Sequence, residues 1–291
     1  MKIVIQKFGG TSVATPEMRE RVVQKIINAK RGGFQPVVVV SAIGRKGAPY
    51  ATDTLIDVNS KICKDIHPRE MDLLMSCGEI ISAVILTNTL KAKGYEARAF
   101  TGGQAGIITD SNFTQSEILE IKPDRILDSI ENGRIPVVAG FQGITEQGDF
   151  TTLGRGGSDV TAVALGEALE AFAVEIFSDV DGVMTADPKI VPDASVLSHV
   201  SYSDILELAS KGAKIIHPRA IEYAIRGNIP VFIKNISNSA PGTVVSFEYE
   251  RSFGPNNLIS TQVVTGVAHI TGRVQVTIHQ GDSIINNRIL T

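Results

Sequence analysis

Two kinds of apolar repeat alternate along the chain. Short runs rich in Val and Ile, such as Pro36-Val-Val-Val-Val40, are typical of strands buried on both faces of a parallel sheet. Between them lie longer segments with apolar residues at helical spacing. We predict strands over residues 2–6, 37–41, 96–100, 135–139, 174–178 and 230–234, and helices over 17–30, 79–93, 123–132, 158–170, 203–211 and 218–226. This alternation predicts an α/β fold, a mostly parallel sheet with helices on both faces.

Residues 44–78 interrupt the alternation. The stretch is polar and irregular and contains Pro49 and Pro68. We expect part of it to form a loop or lid on the substrate side.

A glycine-rich loop at 151–159, Thr-Thr-Leu-Gly-Arg-Gly-Gly-Ser-Asp, carries the most specific chemistry. Its glycines leave backbone N–H groups free to approach a ligand, and the fork of donors on Arg155 suits a carboxylate or a phosphate. Ser158 and Asp159 then open a helix, whose N-terminus favours anions. A turn that needs glycine for backbone reasons alone is an even alternative for an isolated loop of this kind.

The N-terminal segment, Lys2 to Ser12, predicts a strand that ends at Gly9-Gly10. Lys7 lies near the carboxyl end of that strand, where open α/β sheets bind ligands. A buried lysine there needs a partner, and a nucleotide phosphate supplies one. The segment contains neither a P-loop nor a Gly-x-Gly-x-x-Gly dinucleotide motif.

A third segment, Phe177 to Pro188, places an acidic loop with Asp179 and Asp181 after a short buried strand. Taken alone, this run is better explained as a turn rich in Asp and Gly.

Composition limits the class of protein. A net charge of −3 gives no basic surface for nucleic acid, and no apolar run has the roughly 18 residues of a membrane span. The five histidines have no metal-ligand spacing, so no protein metal site is predicted. Cys63 and Cys77 cannot form a disulfide framework, which favours the cytoplasm, and Cys77 is expected to be buried and inert.

Seven segments together resemble the amino-acid kinase superfamily and, within it, the aspartokinases. They follow the family's order over residues 1 to 250: Lys7 to Ser12, Val39 to Ala42, Ser76 to Glu79, Gly140 to Gly143, the Arg155 loop, Ser178 to Pro188, and Lys211 to Pro218. The insertion at 44–54 is similar to that of diaminopimelate-pathway aspartokinases of spore-forming bacteria. Ser178 stands where the family usually has Thr.

The resemblance implies a domain arrangement. Residues 1–250 correspond to the amino-acid kinase catalytic domain, 251–264 to a linker, and 265–291 to the start of an ACT-type regulatory domain. That last segment is too short for the family's paired regulatory domains, so we expect a truncated ACT-like segment. We also expect a homo-oligomer, although the sequence does not give the number of subunits.

The resemblance further implies ATP-dependent phosphorylation of the β-carboxylate of L-aspartate, giving 4-phospho-L-aspartate, with Mg²⁺ carried by the ATP. Lys7 and the Gly9–Gly10 backbone would hold the transferred phosphoryl group, and Asp159 would orient Lys7. Arg155 would bind the α-carboxylate of aspartate, and Glu79 its α-ammonium.

The remaining site residues also follow from the resemblance. The other substrate-side residues would be Ser41, Thr52 or Thr54, Phe141, Gly156, Gly157 and Ser158. The other nucleotide-side residues would be Phe8, Ser178, Asp179, Val183, Met184, Thr185, Ala186, Asp187 and Lys214.

Simpler explanations stay open at this point. Glu79 could be a carboxylate in the first turn of a helix, Lys214 a solvated surface residue, and Phe141 or Ser41 part of the core. Another superfamily enzyme, such as an acylglutamate or uridylate kinase, would share the sheet and the Gly-Gly loop. A non-catalytic subunit that senses an amino acid is the alternative from a different class.

Overall fold

A computed structural model describes residues 1–211, 215–247, 266–267, 279–280 and 283–284 of the chain. Its strands are β1 Ile3–Phe8, β2 Gln35–Val40, β3 Ala97–Phe100, β4 Ile107–Thr109, β5 Ile118–Ile121, β6 Ile135–Ala139, β7 Gln142–Ile144, β8 Phe150–Thr152, β9 Ala173–Ser178, β10 His199–Ser201, β11 Val231–Asn235, β12 Thr243–Ser246, β13 His279–Gln280 and β14 Ser283–Ile284. Its α-helices are α1 Pro16–Arg31, α2 Thr52–Ser60, α3 Pro68–Ala92, α4 Asp124–Glu131, α5 Gly157–Ala168, α6 Tyr202–Ser210 and α7 Pro218–Gly227.

The central sheet has the strand order β10-β12-β11-β9-β1-β2-β6-β3. Its pairings are parallel except for β11 with β12. All six predicted strands lie in this sheet, and the prediction of a mostly parallel α/β fold is confirmed.

Helices cover both faces of the sheet because successive strand residues point to opposite sides. On β2, Val38 and Val40 pack under α1 and α3, whereas Val37 and Val39 face the core formed with α4 to α7. The strand therefore has to be apolar at every position, which explains the continuous valine run.

A smaller sheet with the order β5-β4-β7-β8 lies beside the carboxyl end of β6. β7 and β8 form an antiparallel pair, and β8 packs against α3. The chain leaves β8 directly into the glycine-rich loop, so this small sheet sets the position of the loop.

The prediction for residues 44–78 was wrong in part, because α2 and the first half of α3 lie within them. The predicted helix at 79–93 begins at Pro68, with the His67 Nδ1 atom accepting a hydrogen bond from the Arg69 backbone N–H. Gly78 lies inside this helix, where Ala42 and the Tyr50 carbonyl approach so closely that a side chain would not fit. Cys77 is exposed, so the expectation of a buried thiol was also wrong.

Helix α3 is long and apolar enough to cross a bilayer by length and composition alone. Half of its most apolar window is buried against the rest of the protein, including β3 and β6. Core helices of globular proteins pass the same test, so this is weak evidence for a membrane span.

Candidate active site

A cavity of about 540 Å³ opens at the carboxyl ends of the neighbouring strands β1, β2 and β6. This is the edge at which open α/β sheets bind ligands. The cavity is lined by Lys7, Gly10, Ser41, Ala42, Gly44, Arg45, Lys46, Ala51, Thr52, Asp53, Glu79, Phe141, Gly154, Arg155, Gly156, Gly157, Ser158 and Asp159. Most of the predicted phosphoryl-side and substrate-side residues therefore share one space.

Lys7 and Asp159, which both line this cavity, form an ion pair. Lys7 Nζ lies 2.6 Å from Asp159 Oδ1, and the two side chains are only 13% and 16% exposed. β1 carries Lys7 between β2 and β9, and Asp159 lies in the first turn of α5. The carboxylate holds the ammonium group in one direction through this contact.

Gly10 begins a short 3₁₀ turn directly after β1. A side chain at this position would collide with the carbonyl oxygens of Ala42 and Gly44, and the Gly44 backbone N–H donates to the Gly10 carbonyl at 2.9 Å. The Gly-Gly turn is thus held against the segment that follows β2, with its backbone beside Lys7.

Glu79 is 2% exposed and lies in the interior of α3, so it is not a first-turn residue. Its Oε1 accepts a hydrogen bond from the Ala42 backbone N–H at 3.0 Å, whereas Oε2 has no partner among the described residues. Burial raises the pKa of Glu79 to about 8. A buried carboxylate with one free oxygen is suited to receive a cationic group of a ligand.

The Arg155 loop is shaped by two glycines in the left-handed region, Gly154 with φ 72° and Gly156 with φ 71°. Gly156 also lies against His217, leaving no room for a side chain. This backbone leaves Arg155 exposed at the mouth of the cavity. Ser158 is nearly buried in the first turn of α5.

Phe141 is a non-glycine residue with φ 69°, a strained conformation that has to be held by its surroundings. Its backbone N–H donates to Thr161 Oγ1, and its carbonyl accepts from the Leu153 N–H. Residues in such conformations cluster at functional sites, and Phe141 lines the cavity next to Gly157. Its backbone thereby joins the end of β6 to the Arg155 loop.

The two threonines considered in the insertion have different surroundings. Thr52 lines the cavity, whereas Thr54 does not and accepts a hydrogen bond from the Gly47 N–H at 3.0 Å. Three charged residues of the same stretch that we had not singled out also line the cavity: Arg45, Lys46 and Asp53. Their clustering in a short polar insertion was the available signal.

Most of the residues predicted to surround the adenine and ribose do not line this cavity, and they lie in or beside the loop after β9. Ser178 ends that strand, beside the end of β1, and Asp179 forms an exposed ion pair with Arg45 at 3.0 Å. Lys214 lies outside the described residues. The side chain of Phe8 faces the core and stacks on Phe177 with ring centroids 5.0 Å apart, so only its backbone is available to a nucleotide.

Residues 183–187 are held by contacts within the chain. The Val183 N–H donates to Thr243 Oγ1, and Met184 bridges Val196. Thr185 Oγ1 accepts from the Ser195 N–H, and Asp187 Oδ1 accepts from the Lys189 N–H. Val183 is buried, whereas Met184, Thr185, Ala186 and Asp187 are half-buried.

The chain is similar to named aspartokinases over most of its length. It is 46% identical over 270 residues to Aspartokinase 1 of Bacillus subtilis (strain 168), which covers 93% of this chain and 66% of the relative. It is 42% identical over 279 residues to an aspartokinase of Mycolicibacterium smegmatis, covering 96% of this chain and 64% of the relative. The chain thus spans just under two thirds of the length of these relatives.

Solved structures give the same result for the fold. Escherichia coli aspartokinase III, solved in complex with aspartate and ADP, superposes with a TM-score of 0.74 and 28% identity, covering 86% of this chain and 66% of that one. The sequence also matches the profile described as the Amino acid kinase family over residues 2–235. With that match spanning most of its length, the chain belongs to the amino acid kinase family.

Proposed function

We propose that this protein transfers the γ-phosphoryl group of ATP to the β-carboxylate of L-aspartate, forming 4-phospho-L-aspartate. The observation that carries the proposal is that Lys7, Glu79 and Arg155 line one cavity. An amino-acid ligand needs opposite charges for its α-carboxylate and α-ammonium, and a transferred phosphoryl group needs a further cation.

The chemistry of the acceptor agrees with this set of residues. The β-carboxylate of aspartate has an ordinary pKa of about 3.9, so it is already ionised at neutral pH and needs no general base. The difficulty is instead to bring one anion up to another and to stabilise the charge of an in-line displacement. Lys7, held by Asp159, is placed to do this beside the Gly9–Gly10 turn.

The substrate side is assigned from the same geometry. Arg155 binds the α-carboxylate in a bidentate grip, and the free Oε2 of Glu79 receives the α-ammonium. Ser41, Thr52, Phe141 and the Gly156 to Ser158 backbone form the remaining walls. Thr54 is a weaker candidate, because its hydroxyl is engaged with Gly47.

The nucleotide is assigned to the loop after β9, with Ser178, Asp179 and residues 183–187 around its adenine and ribose, and with Lys214 beside it. Among the described residues, no three His, Cys, Asp or Glu side chains are grouped so that they could hold a metal ion. We assign Mg²⁺ to the phosphates of ATP, where it would neutralise charge on the transferred group.

Further properties belong to the same proposal. We infer a soluble cytoplasmic enzyme and a homo-oligomer that acts in the first step of lysine, threonine and methionine synthesis through diaminopimelate. We also keep the domain assignment, with a catalytic unit over 1–250, a linker over 251–264 and an ACT-like segment over 265–291. The linker and most of the ACT-like segment lie outside the described residues.

A coupled ADP-release assay tests the proposal directly. We expect ATP turnover that depends on aspartate and is much slower with glutamate, N-acetylglutamate or uridylate. Turnover with N-acetylglutamate or uridylate instead would identify another kinase of the family. Aspartate binding without turnover would identify a sensing subunit.

A further inference from the structure

Asp72 is a fully buried carboxylate in α3, outside the cavity. Its Oδ2 accepts hydrogen bonds from the backbone N–H groups of Thr114 and Thr152, each at 2.8 Å. Its Oδ1 accepts from Thr152 Oγ1 at 2.7 Å. No ion pair with a described cation accompanies these bonds, so three neutral donors hold a buried charge.

Such an arrangement is costly and specific. Burial raises the pKa of Asp72, and the bonds from Thr114 and Thr152 oppose that shift. A buried charge is retained in a fold only when its hydrogen bonds are well formed, and removing it leaves its donors unpaired. The carboxylate therefore fixes the two segments that donate to it.

Those two segments support the Arg155 loop. Thr152 ends β8, three residues before Arg155. Thr114 has φ 72°, a strained conformation for a threonine, and its carbonyl oxygen lies against Gly154. The bond from its N–H to Asp72 helps to hold this conformation.

A second charged residue holds the same strand end from the opposite element. Arg219, in the first turn of α7, donates to the carbonyl oxygens of Leu153 at 3.0 Å and Ser116 at 3.1 Å. The segment entering the Arg155 loop is thus bonded on two sides: the Thr152 N–H donates to Asp72 of α3, and the Leu153 carbonyl accepts from Arg219 of α7.

Asp72 also shares its helix with Glu79. They are seven positions apart, two turns of α3 or about 10 Å along its axis. Residues at this spacing lie on the same face of a helix, and both side chains are buried. One rigid helix therefore carries the Glu79 carboxylate and anchors the loop of Arg155.

We propose that Asp72 is a positioning residue that fixes the distance between Glu79 and Arg155, the two side chains that bind the amino-acid substrate. The inference rests on the proposed function and adds a determinant of substrate length to it. When both side chains are fixed, the α-carbon of the substrate has one position relative to Lys7. The side-chain carboxylate of aspartate then meets Lys7, whereas that of glutamate, one methylene longer, does not fit the same distance. Weakening the hydrogen bonds to Asp72 should make the position of Arg155 less fixed and weaken aspartate binding, while the nucleotide side stays in place.

The test replaces Asp72 by Asn, which keeps the shape but cannot accept all three bonds. We expect the aspartate KM to rise about tenfold or more and the preference for aspartate over glutamate to fall, because small displacements of a binding group are costly. The ATP KM should stay within about twofold. Asp149→Asn is the matched control. It removes a partly exposed ion pair between Asp149, just before β8, and Arg69 of α3, and so changes a contact of the same two elements away from the Arg155 loop.

Amide hydrogen exchange provides a readout that does not depend on turnover. We expect faster exchange over residues 152–157 in Asp72→Asn and unchanged exchange there in Asp149→Asn. If the wild-type protein shows no aspartate-dependent turnover but the exchange changes as expected, the proposed function fails while the positioning role stands. An unchanged aspartate KM and unchanged exchange, with only a lower melting temperature, would overturn the role.

Thr152 gives a second route if Asp72→Asn does not fold. Thr152→Val removes the hydroxyl donor to Asp72 at nearly constant shape, and Thr152→Ser restores it. We expect the first to raise the aspartate KM and the second to return it to near the wild-type value. Equal aspartate KM values for the two variants would contradict the inference.

Discussion

The amino-acid side and the nucleotide side of this site are built differently. The amino-acid and phosphoryl side is organised by buried ionisable groups, with the Lys7–Asp159 pair and Glu79 held by β1, α5 and α3. The nucleotide side is a loop, and its ion pair between Arg45 and Asp179 is 72% and 67% exposed. Only the first of these regions has buried ionisable groups that the core holds in position before a ligand arrives.

The difference shows where specificity is expected to come from. A desolvated charged group discriminates strongly, because a ligand that leaves it unpaired is penalised. An exposed pair adds little, since water and salt screen it. Substitutions on the two sides should therefore differ by orders of magnitude in their effects.

The largest effect is expected for Lys7→Ala. Because this charge matters most while the phosphoryl group is in transit, kcat should fall about 100- to 1000-fold with a smaller change in aspartate KM. Steady-state kinetics with ADP detection measures both values. Lys122→Ala, at an exposed pair with Glu120, is the control. A kcat within a few-fold of the wild type would remove Lys7 from the mechanism.

The second effect is expected for Arg155→Lys, which keeps the charge but loses the planar fork. The aspartate KM should rise about tenfold or more, because a lysine at this exposed position cannot form the two parallel hydrogen bonds of the guanidinium with the α-carboxylate. The ATP KM should change little. Equal rises in both KM values would show that the residue does not belong to the amino-acid side.

The third effect is expected for Glu79→Gln, which should weaken aspartate binding but raise the melting temperature of the ligand-free protein at alkaline pH. Aspartate binding should weaken with the ATP KM nearly unchanged. The folded pKa of about 8 exceeds the ordinary 4.5, so ionising Glu79 removes stability as the pH rises through this window. The ligand-free variant should therefore melt higher than the wild type at pH 8.5, with a smaller difference near pH 4.5.

Thermal melting at both pH values and both KM measurements check this prediction. A lower melting temperature at pH 8.5 together with a normal aspartate KM would make Glu79 a structural residue instead.

The smallest effect is expected on the nucleotide side. Asp179→Asn breaks the exposed pair with Arg45 and should change the free energy of unfolding by less than about 1 kcal/mol. We expect the aspartate KM to be unchanged and the ATP KM to shift only a few-fold. A loss of aspartate binding comparable to that of Arg155→Lys would show that the two sides are not separable in this way.

The sequence predicted the central sheet well because its strands are continuous apolar runs. It did not predict the smaller sheet, since strands such as Ile107–Thr109 have three residues and too little pattern to be distinguished from loops. The start of α3 was missed because its first three turns lie in the polar stretch 44–78, which contains Pro49 and Pro68. The glycine inside the helix, Gly78, is explained by contacts from Ala42 and Tyr50, which are distant in sequence.

In the candidate site too, local sequence identifies some residues, whereas others are identified only by contacts distant in sequence. Lys7, Arg155 and Asp159 lie in glycine-marked segments at strand ends, so local sequence was enough to select them. The buried role of Asp72 depends on Thr114 and Thr152, 42 and 80 residues away, and no local pattern shows it.

The buried Glu79 carboxyl, with its unpartnered oxygen, should release a proton to the buffer when aspartate binds. With its pKa raised to about 8 by burial, this carboxyl is mostly protonated at pH 7 in the empty protein. An arriving ammonium group favours the ionised form, so each aspartate bound should expel close to one proton. Titration calorimetry in buffers of different ionisation enthalpy counts that proton. The same exchange makes aspartate bind more tightly as the solution becomes more alkaline, up to about pH 8.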